Sequence, residues 1–406
     1  MAQQTYPTRF SPPIAERPQV KQALEWIDSN FDDQVKEWIR LTEIPGPSTR
    51  ETQRGAYIRA ELEKLGYKPT TDQDGNVFFR RRGTGGGPTM VLAVHMDTVF
   101  PEQTGLKVTR KPDGTLHAPG IGDNTAAVVD TLNVLRAIDT AKLQTKGDVI
   151  FLFTVQEEIG LKGMYAWFER NRKDADLLVA VDGGLGPVRY GALGIYWSKM
   201  KFTAAGAHTN RSRGVPNPVR AAAQCITDIY TVPLPDVDYS AGGAVYNVGG
   251  MITAGDVVNA VPREVTFTVD LRTVDKQVMG SLDDAIVSKC DQAARDHKVT
   301  FVREWIQRSE PGGRPDQLVD RRKHPIVQTA VDVQKYLGVK FVAGQETLAT
   351  GSTDANVGVV AGIPSISIGG ANGADAHTLT EWANIESARI GTKQIILLTV
   401  ALTDSN

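Results

Sequence analysis

At 406 residues the chain is long enough for two or three domains and a sizeable core. Its 45 Lys+Arg against 47 Asp+Glu leave a formal net charge of -2, which supplies no global basic field for nucleic acid or an anionic membrane. The longest apolar runs, residues 149–155 and 395–402, fall far short of the ~20 residues a spanning helix needs. In chain order, residues 1–21 carry Pro7, Pro12, Pro13 and Pro18 and no apolar run, so no signal peptide is expected there. A cytoplasmic location follows as the expectation, with an exported form whose leader was removed left open. Apolar residues then recur at helical spacing in residues 23–27, 35–44 and 57–65, where Gly66 stops the pattern. Residues 89–95, 148–157 and 176–182 are nearly continuous apolar runs, the pattern of strands buried on both faces. Helical patterns at 126–138 and 163–171 separate them.

From about Gly194 the texture alternates, at residues 196–204, 244–253 and 264–270, with helical segments at 218–230 and 276–297. After Pro311-Gly312-Gly313, helix and buried strand return at 325–337, 363–368 and 383–400. The expectation is an α/β fold: a mostly parallel sheet flanked by helices, with an inserted α+β domain. The discontinuous catalytic domain is placed at residues 1–193 and 310–406, and the insertion at 194–309. Cys225 and Cys290 are too few for a disulfide framework and are expected to be buried thiols of a reducing compartment.

Ligands in open α/β sheets sit beyond the carboxyl ends of the strands. In this chain those ends read Val94-His95-Met96-Asp97, Gln156-Glu157-Glu158-Ile159-Gly160 and Val181-Asp182-Gly183-Gly184. Asp123 lies in the glycine-bearing loop Pro119-Gly120-Ile121-Gly122-Asp123-Asn124, and His377 in Asp375-Ala376-His377-Thr378. In an extended segment His95 and Asp97 share a face. Singly, each has an ordinary reading as a hydrogen-bonded pair, a solvated loop or a turn. Together they gather carboxylates that repel one another unless a cation intervenes. Histidine plus carboxylate without cysteine suits Zn, Co or Mn, and the inventory exceeds what one tetrahedral ion uses. Two ions about 3.5 to 4 Å apart, with one Glu left as general base, point to metal-assisted hydrolysis of an amide. His117, His297 and His324 read as structural or surface histidines. No GxxxxGK[ST] loop, GxSxG elbow or basic-aromatic groove is present.

These blocks, with His95-Met96-Asp97-Thr98-Val99 and Glu157-Glu158-Ile159-Gly160 foremost, resemble the co-catalytic zinc exopeptidases and deacylases. That family includes peptidase T, carboxypeptidase G, aminoacylase, acetylornithine deacetylase and succinyl-diaminopimelate desuccinylase. The resemblance runs from about Gln22 to Leu402, and Val181-Asp182-Gly183-Gly184 with Gly160-Leu161-Lys162-Gly163 leans toward the peptidase T branch. It implies two divalent metal ions per chain, most simply Zn, with Co or Mn as alternatives. Asp123 would bridge them, His95 and Asp182 would complete one site, and Glu158 and His377 the other. Glu157 would be the general base and Asp97 the partner fixing the His95 ring. The peptide bond after the bridging aspartate, here Asp123-Asn124, is commonly cis in the family.

The resemblance further makes the insertion a dimerisation or lid domain, through which a homodimer forms. His208, in Ala207-His208-Thr209-Asn210, would reach the partner's active site as an oxyanion stabiliser. Asn259, in the block from Gly255 to Pro262, and Arg272, in Asp270-Leu271-Arg272, would grip substrate, Arg272 through a carboxylate. Gly351 and Ser352 of Gly351-Ser352-Thr353-Asp354 would line the substrate end of the pocket. One departure is Asp123-Asn124-Thr125-Ala126-Ala127, where the family usually follows its bridging aspartate with an acidic residue; no ligand is lost. The expected activity is that of a peptidase T-like aminopeptidase on short peptides. An N-acyl-amino-acid deacylase or carboxypeptidase is the alternative within the family, and a non-catalytic metal- or peptide-binding dimer the alternative outside it. No nucleic-acid or membrane partner is expected.

Overall fold

A computed structural model describes residues 7–235, 243–313 and 315–404. The chain divides into two compact units, Met1–Gly191 with Leu318–Asn406, and Ala192–Gln317. In the larger unit the strands Val149–Thr154, Met90–His95, Leu177–Val181 and Ser365–Ile368 lie side by side and parallel. Val77–Arg81 adds an antiparallel edge beyond Val149–Thr154. Every residue of the four parallel strands is buried, which is why they read as continuous apolar runs rather than alternating ones.

Helices cover both faces of this sheet. One face packs Val91, Ala93, Ile150, Leu152, Leu178 and Ala180 against Met164, Trp167 and Phe168 of the helix Lys162–Asn171. Burying such side chains is worth about 1.5 to 3 kcal/mol each, so this layer alone fixes the strand register. Pro18–Thr42, Ala127–Thr140 and Ile385–Thr403 pack on one another as the helical layer of the same unit. Because the central strands are parallel, His95, Thr154, Val181 and Ile368 all end at one edge. The loops that follow them therefore converge.

The smaller unit is an antiparallel sheet in the order Val245–Thr253, Glu264–Thr273, Gly194–Thr203, Thr300–Ser309. Its helices Pro218–Ile229 and Lys276–His297 bury Met200, Phe202, Phe267 and Leu282 in a core of their own. Asp275 caps the second helix by accepting the N–H groups of Gln277 and Val278, typically worth about 1 kcal/mol. Cys225 and Cys290, one from each helix, form a disulfide. This corrects the expectation of two free thiols: the partners are 65 residues apart, and only the packing of the two helices brings them together. The mostly parallel α/β sheet with a separate α+β unit is thus the architecture the periodicity predicts. Among the described residues no helix is long and apolar enough to cross a membrane.

Candidate functional site

Where the parallel strands end, the larger unit gathers its acids and imidazoles. His95 closes the strand Met90–His95 and is only 2% exposed. Its Nε2 lies 3.1 Å from Asp123 Oδ1, and its Nδ1 lies 3.3 Å from Asp97 Oδ1. On the other side, His377 Nε2 lies 3.1 Å from Asp123 Oδ2 and 3.1 Å from Glu158 Oε2. One carboxylate, Asp123, thus faces two imidazoles with its two oxygens. Donor atoms of His95, Asp123 and Glu158 all fall within 4.8 Å of one another, close enough to share a metal ion. The peptide bond Asp123-Asn124 is cis.

Asp97 is fully buried and accepts four contacts at once. Besides His95 it takes the backbone N–H of Glu157 at 3.0 Å, that of Glu158 at 3.2 Å and the hydroxyl of Ser48 at 2.7 Å. The ring of His95 and the chain bearing both glutamates are therefore held by one side chain.

Two further acids in this neighbourhood are not among the candidates read from sequence. Glu381, 1% exposed, accepts backbone N–H groups from Gly120 at 2.8 Å, Gly122 at 2.8 Å and Asp123 at 2.9 Å. The loop carrying Asp123 turns through Gly120, whose φ of 71° suits glycine, and wraps around this carboxylate. Asp354, also buried, accepts a hydrogen bond from Thr154 while its Oδ1 has no partner. Both stand far in sequence from what they touch, so no local pattern marks them; the acidic residue of Ser352-Thr353-Asp354 was the one visible hint. Arg54, buried beneath, donates to the carbonyls of Ile44 and Met96 and balances the charges of Asp97 and Glu381.

The electrostatics follow from crowding. Burial, opposed by His95 and reinforced by Asp182, Asp354 and Glu158, pushes the Glu157 carboxyl well above its usual range. Burial and the charge of Asp123 raise Asp182 to about 7, with His95 and Arg189 pulling the other way. Burial likewise raises Glu158. His377 is raised to about 10 by its hydrogen bonds to Asp123 and Glu158. Burial works against the charged form of Asp123, yet the bonds from His377 and His95 hold it low.

The donor set fits divalent metal ions. It offers imidazole nitrogens and carboxylate oxygens without sulfur, the combination that suits Zn, Co and Mn. Glu158 Oε1 is buried without any hydrogen-bond partner, a lone-pair atom left for a cation. His95 would also keep the orienting partner such sites require, Asp97 at its Nδ1.

Gly351 and Ser352 belong to the larger unit, where Gly351 packs against the stem of Arg189; a Cβ there would sit 2.7 Å from Arg189 Cδ. His208 and Asn259 are in the smaller unit and meet: His208 pairs with Ala260, and Asn259 O accepts the N–H of Thr209. His208 is exposed, and its Nδ1 accepts the N–H of Asn210 at 3.2 Å. Arg272, also in the smaller unit, already spends its fork on Asp270, at 2.9 and 3.1 Å from Nε and 2.9 Å from Nη2. Its guanidinium carbon lies 5.9 Å from the Trp197 ring centre.

Residues 91–399 match the model of a family described as Peptidase family M20/M25/M40. The N-acetylcysteine deacetylase of Bacillus subtilis (strain 168) is 27% identical over 255 residues, 58% of this chain and 64% of that protein. The N-carbamoyl-L-amino-acid amidohydrolase of Rhizobium meliloti is 25% identical over 276 residues, 57% and 64% of the two chains. The chain thus spans less than two thirds of the length of these curated relatives. Among solved structures, a tripeptidase from Staphylococcus aureus superposes with a TM-score of 0.76 at 22% identity, covering 92% of this chain and 98% of that one. A dinuclear metal-binding peptidase from Bacillus subtilis gives 0.67 at 18% identity, covering 93% and 100%.

Proposed function

The chain belongs to the peptidase family M20/M25/M40, and from that premise we propose that it is a metal-dependent amidohydrolase that cleaves an amide bond of short peptides. The observation that carries this reading is Asp123, one carboxylate facing His95 and His377 at 3.1 Å each, with Glu158 closing the cluster and Glu157 buried beside it. His95, Asp123 and Asp182 would hold one ion and Asp123, Glu158 and His377 a second, Zn being the first candidate and Co or Mn the others. When bound, two such ions supply Lewis acidity to the scissile carbonyl and to the attacking water.

The chain's own residues do the rest. Glu157, buried with its carboxyl raised, would accept the proton of the attacking water and return it to the leaving amine nitrogen as general base. Asp97 holds the His95 ring and the backbone of Glu157 in register. His208 would steady the oxyanion in the site of a partner subunit, the smaller unit carrying the homodimer contact. Its edge strand Val245–Thr253, with Met251 and Ile252 exposed, is suited to such a contact. Arg272 would grip a substrate carboxylate only by exchanging Asp270 for it, and Asn259, Gly351 and Ser352 would line the substrate.

Two substrate readings stand. A peptidase T-like aminopeptidase accords with the Val181-Asp182-Gly183-Gly184 block and the tripeptidase fold. An N-acyl-amino-acid deacylase accords with the deacetylase and carbamoylase relatives. A mass-spectrometric screen of zinc- and cobalt-loaded protein against di- and tripeptides and N-acyl amino acids separates them, with Glu157→Gln as control. N-terminal residues released from tripeptides support the first, and cleavage confined to N-acyl amino acids supports the second. Inactivity of both proteins on every amide would defeat the amidohydrolase reading itself.

A further inference from the structure

At the opposite edge of the same sheet lies a second cavity, of about 250 Å³, beside Ser365, the first residue of the strand Ser365–Ile368. The metal-ligand candidates follow the carboxyl ends of the strands, whereas this cavity sits at an amino end. One wall is apolar, made by Ile326, Val327 and Ile363, all buried. The other wall carries Arg321, His324 and Tyr190.

Arg321 is the anomaly. Its Nη1 is shut away from solvent without a hydrogen-bond partner, and among the described residues it forms no ion pair. Burial alone lowers its pKa, with no carboxylate opposing that shift. Further positive charge converges on the same place: Arg9 acts on His324, and Arg322 on Tyr190. His324 Nδ1 accepts the N–H of Ile326 at 3.2 Å, which leaves Nε2 as the ring's donor in the neutral form. The carboxylate on the lining, Asp320, is solvent-exposed. A half-buried guanidinium without a counter-charge is an expensive thing to build into a wall, and buried charges are ordinarily paired.

We propose that this cavity is a second, non-catalytic binding site for a small organic anion: a carboxylate on an apolar body of roughly amino-acid size. The carboxylate would take the fork of Arg321, with His324 and Tyr190 as further donors, and the apolar body would lie on Ile326, Val327 and Ile363. The volume is below the roughly 300 to 1,000 Å³ of pockets for larger ligands, which sets the size class. Inorganic phosphate would satisfy Arg321 but leave the apolar wall unused.

The test is calorimetric titration of the metal-loaded protein with hexanoate, hexanamide and inorganic phosphate. Hexanoate should bind saturably, and the uncharged hexanamide at least about ten-fold more weakly, a comparison that needs no variant. Arg321→Leu should weaken hexanoate by at least about ten-fold and leave hexanamide unchanged, Arg321→Lys should fall between, and Asp123→Asn should bind hexanoate like the unaltered protein. Absence of saturable hexanoate binding, equal affinity for hexanamide, tighter binding of phosphate, or binding that disappears in Asp123→Asn and survives in Arg321→Leu would each overturn the proposal.

Discussion

Asp97 Oδ1 accepts the backbone N–H of Glu157 at 3.0 Å while facing His95 Nδ1 at 3.3 Å. The side chain that orients a candidate metal ligand thus also fixes the backbone of the candidate base. Asp97→Asn puts an amide where both oxygens now accept, so at least one of three donors, the Glu157 N–H, the Glu158 N–H and the Ser48 hydroxyl, loses its acceptor. Partners of this kind typically carry a 10- to 100-fold effect on metal affinity or activity, and both should fall together here. Competition against a metal chelator, run beside steady-state kinetics, measures the pair. A variant with full metal affinity and full turnover would refute the linkage.

Glu381 should matter as much, although it meets the candidate ligand Asp123 only at the backbone N–H. Its carboxylate gathers the N–H groups of Gly120, Gly122 and Asp123, and hydrogen bonds to a charged group are worth about 1.5 to 3 kcal/mol each. Glu381→Ala leaves three backbone donors, one buried and two half-buried, without acceptor, so the melting temperature should drop by several degrees and metal content should decline. Glu381→Gln keeps one oxygen and should lie between. Unchanged metal binding in Glu381→Ala would show that the Asp123 loop holds its shape unaided.

Why Asp97 was legible and Glu381 was not is a matter of distance along the chain. His95 and Asp97 announce themselves as alternate residues at the end of an apolar run, and Glu157 and Glu158 as carboxylates terminating another. Glu381 lies 258 residues from Asp123, in a segment with no period of its own, and Asp354 lies 200 from Thr154. The Cys225–Cys290 pairing is hidden for the same reason. The parallel sheet is readable because burial on both faces writes itself into consecutive residues, whereas a side chain reaching across the fold to a backbone loop leaves no local trace. Arg272 shows the converse: its motif is readable, but alternation along a strand does not say that Asp270, two residues earlier, takes its fork.

In metal-free protein the pairing of His377 with Asp123 and Glu158 fixes a sign. His377 is raised to about 10 by Asp123 and Glu158, above its unfolded value near 6.5. A raised histidine contributes stability that is fully present below the unfolded pKa and is lost as pH rises through the folded one. Metal-free protein should therefore lose stability between about pH 6.5 and 10, softened by solvent screening because His377 is half exposed. Metal binding must displace these protons, so apparent affinity should rise over the same window, and an unbuffered metal titration should acidify. A melting temperature of metal-free protein that climbs from pH 7 to 9 would contradict the assignment.

The shared-site reading of His208 yields a mixing experiment. His208→Ala and Glu157→Gln should each be nearly inactive, the first for want of an oxyanion partner and the second for want of a base. If each site takes His208 from the other subunit, a hybrid dimer contains one intact site: the protomer with Glu157 receives His208 from the Glu157→Gln protomer. Equal mixing with free exchange makes about half the dimers hybrid, so recovery should approach about one quarter of unaltered activity. Sedimentation in parallel confirms that the variants still associate. If His208 instead serves its own chain, every hybrid site lacks one of the two groups, and mixed protein stays as inactive as its parents.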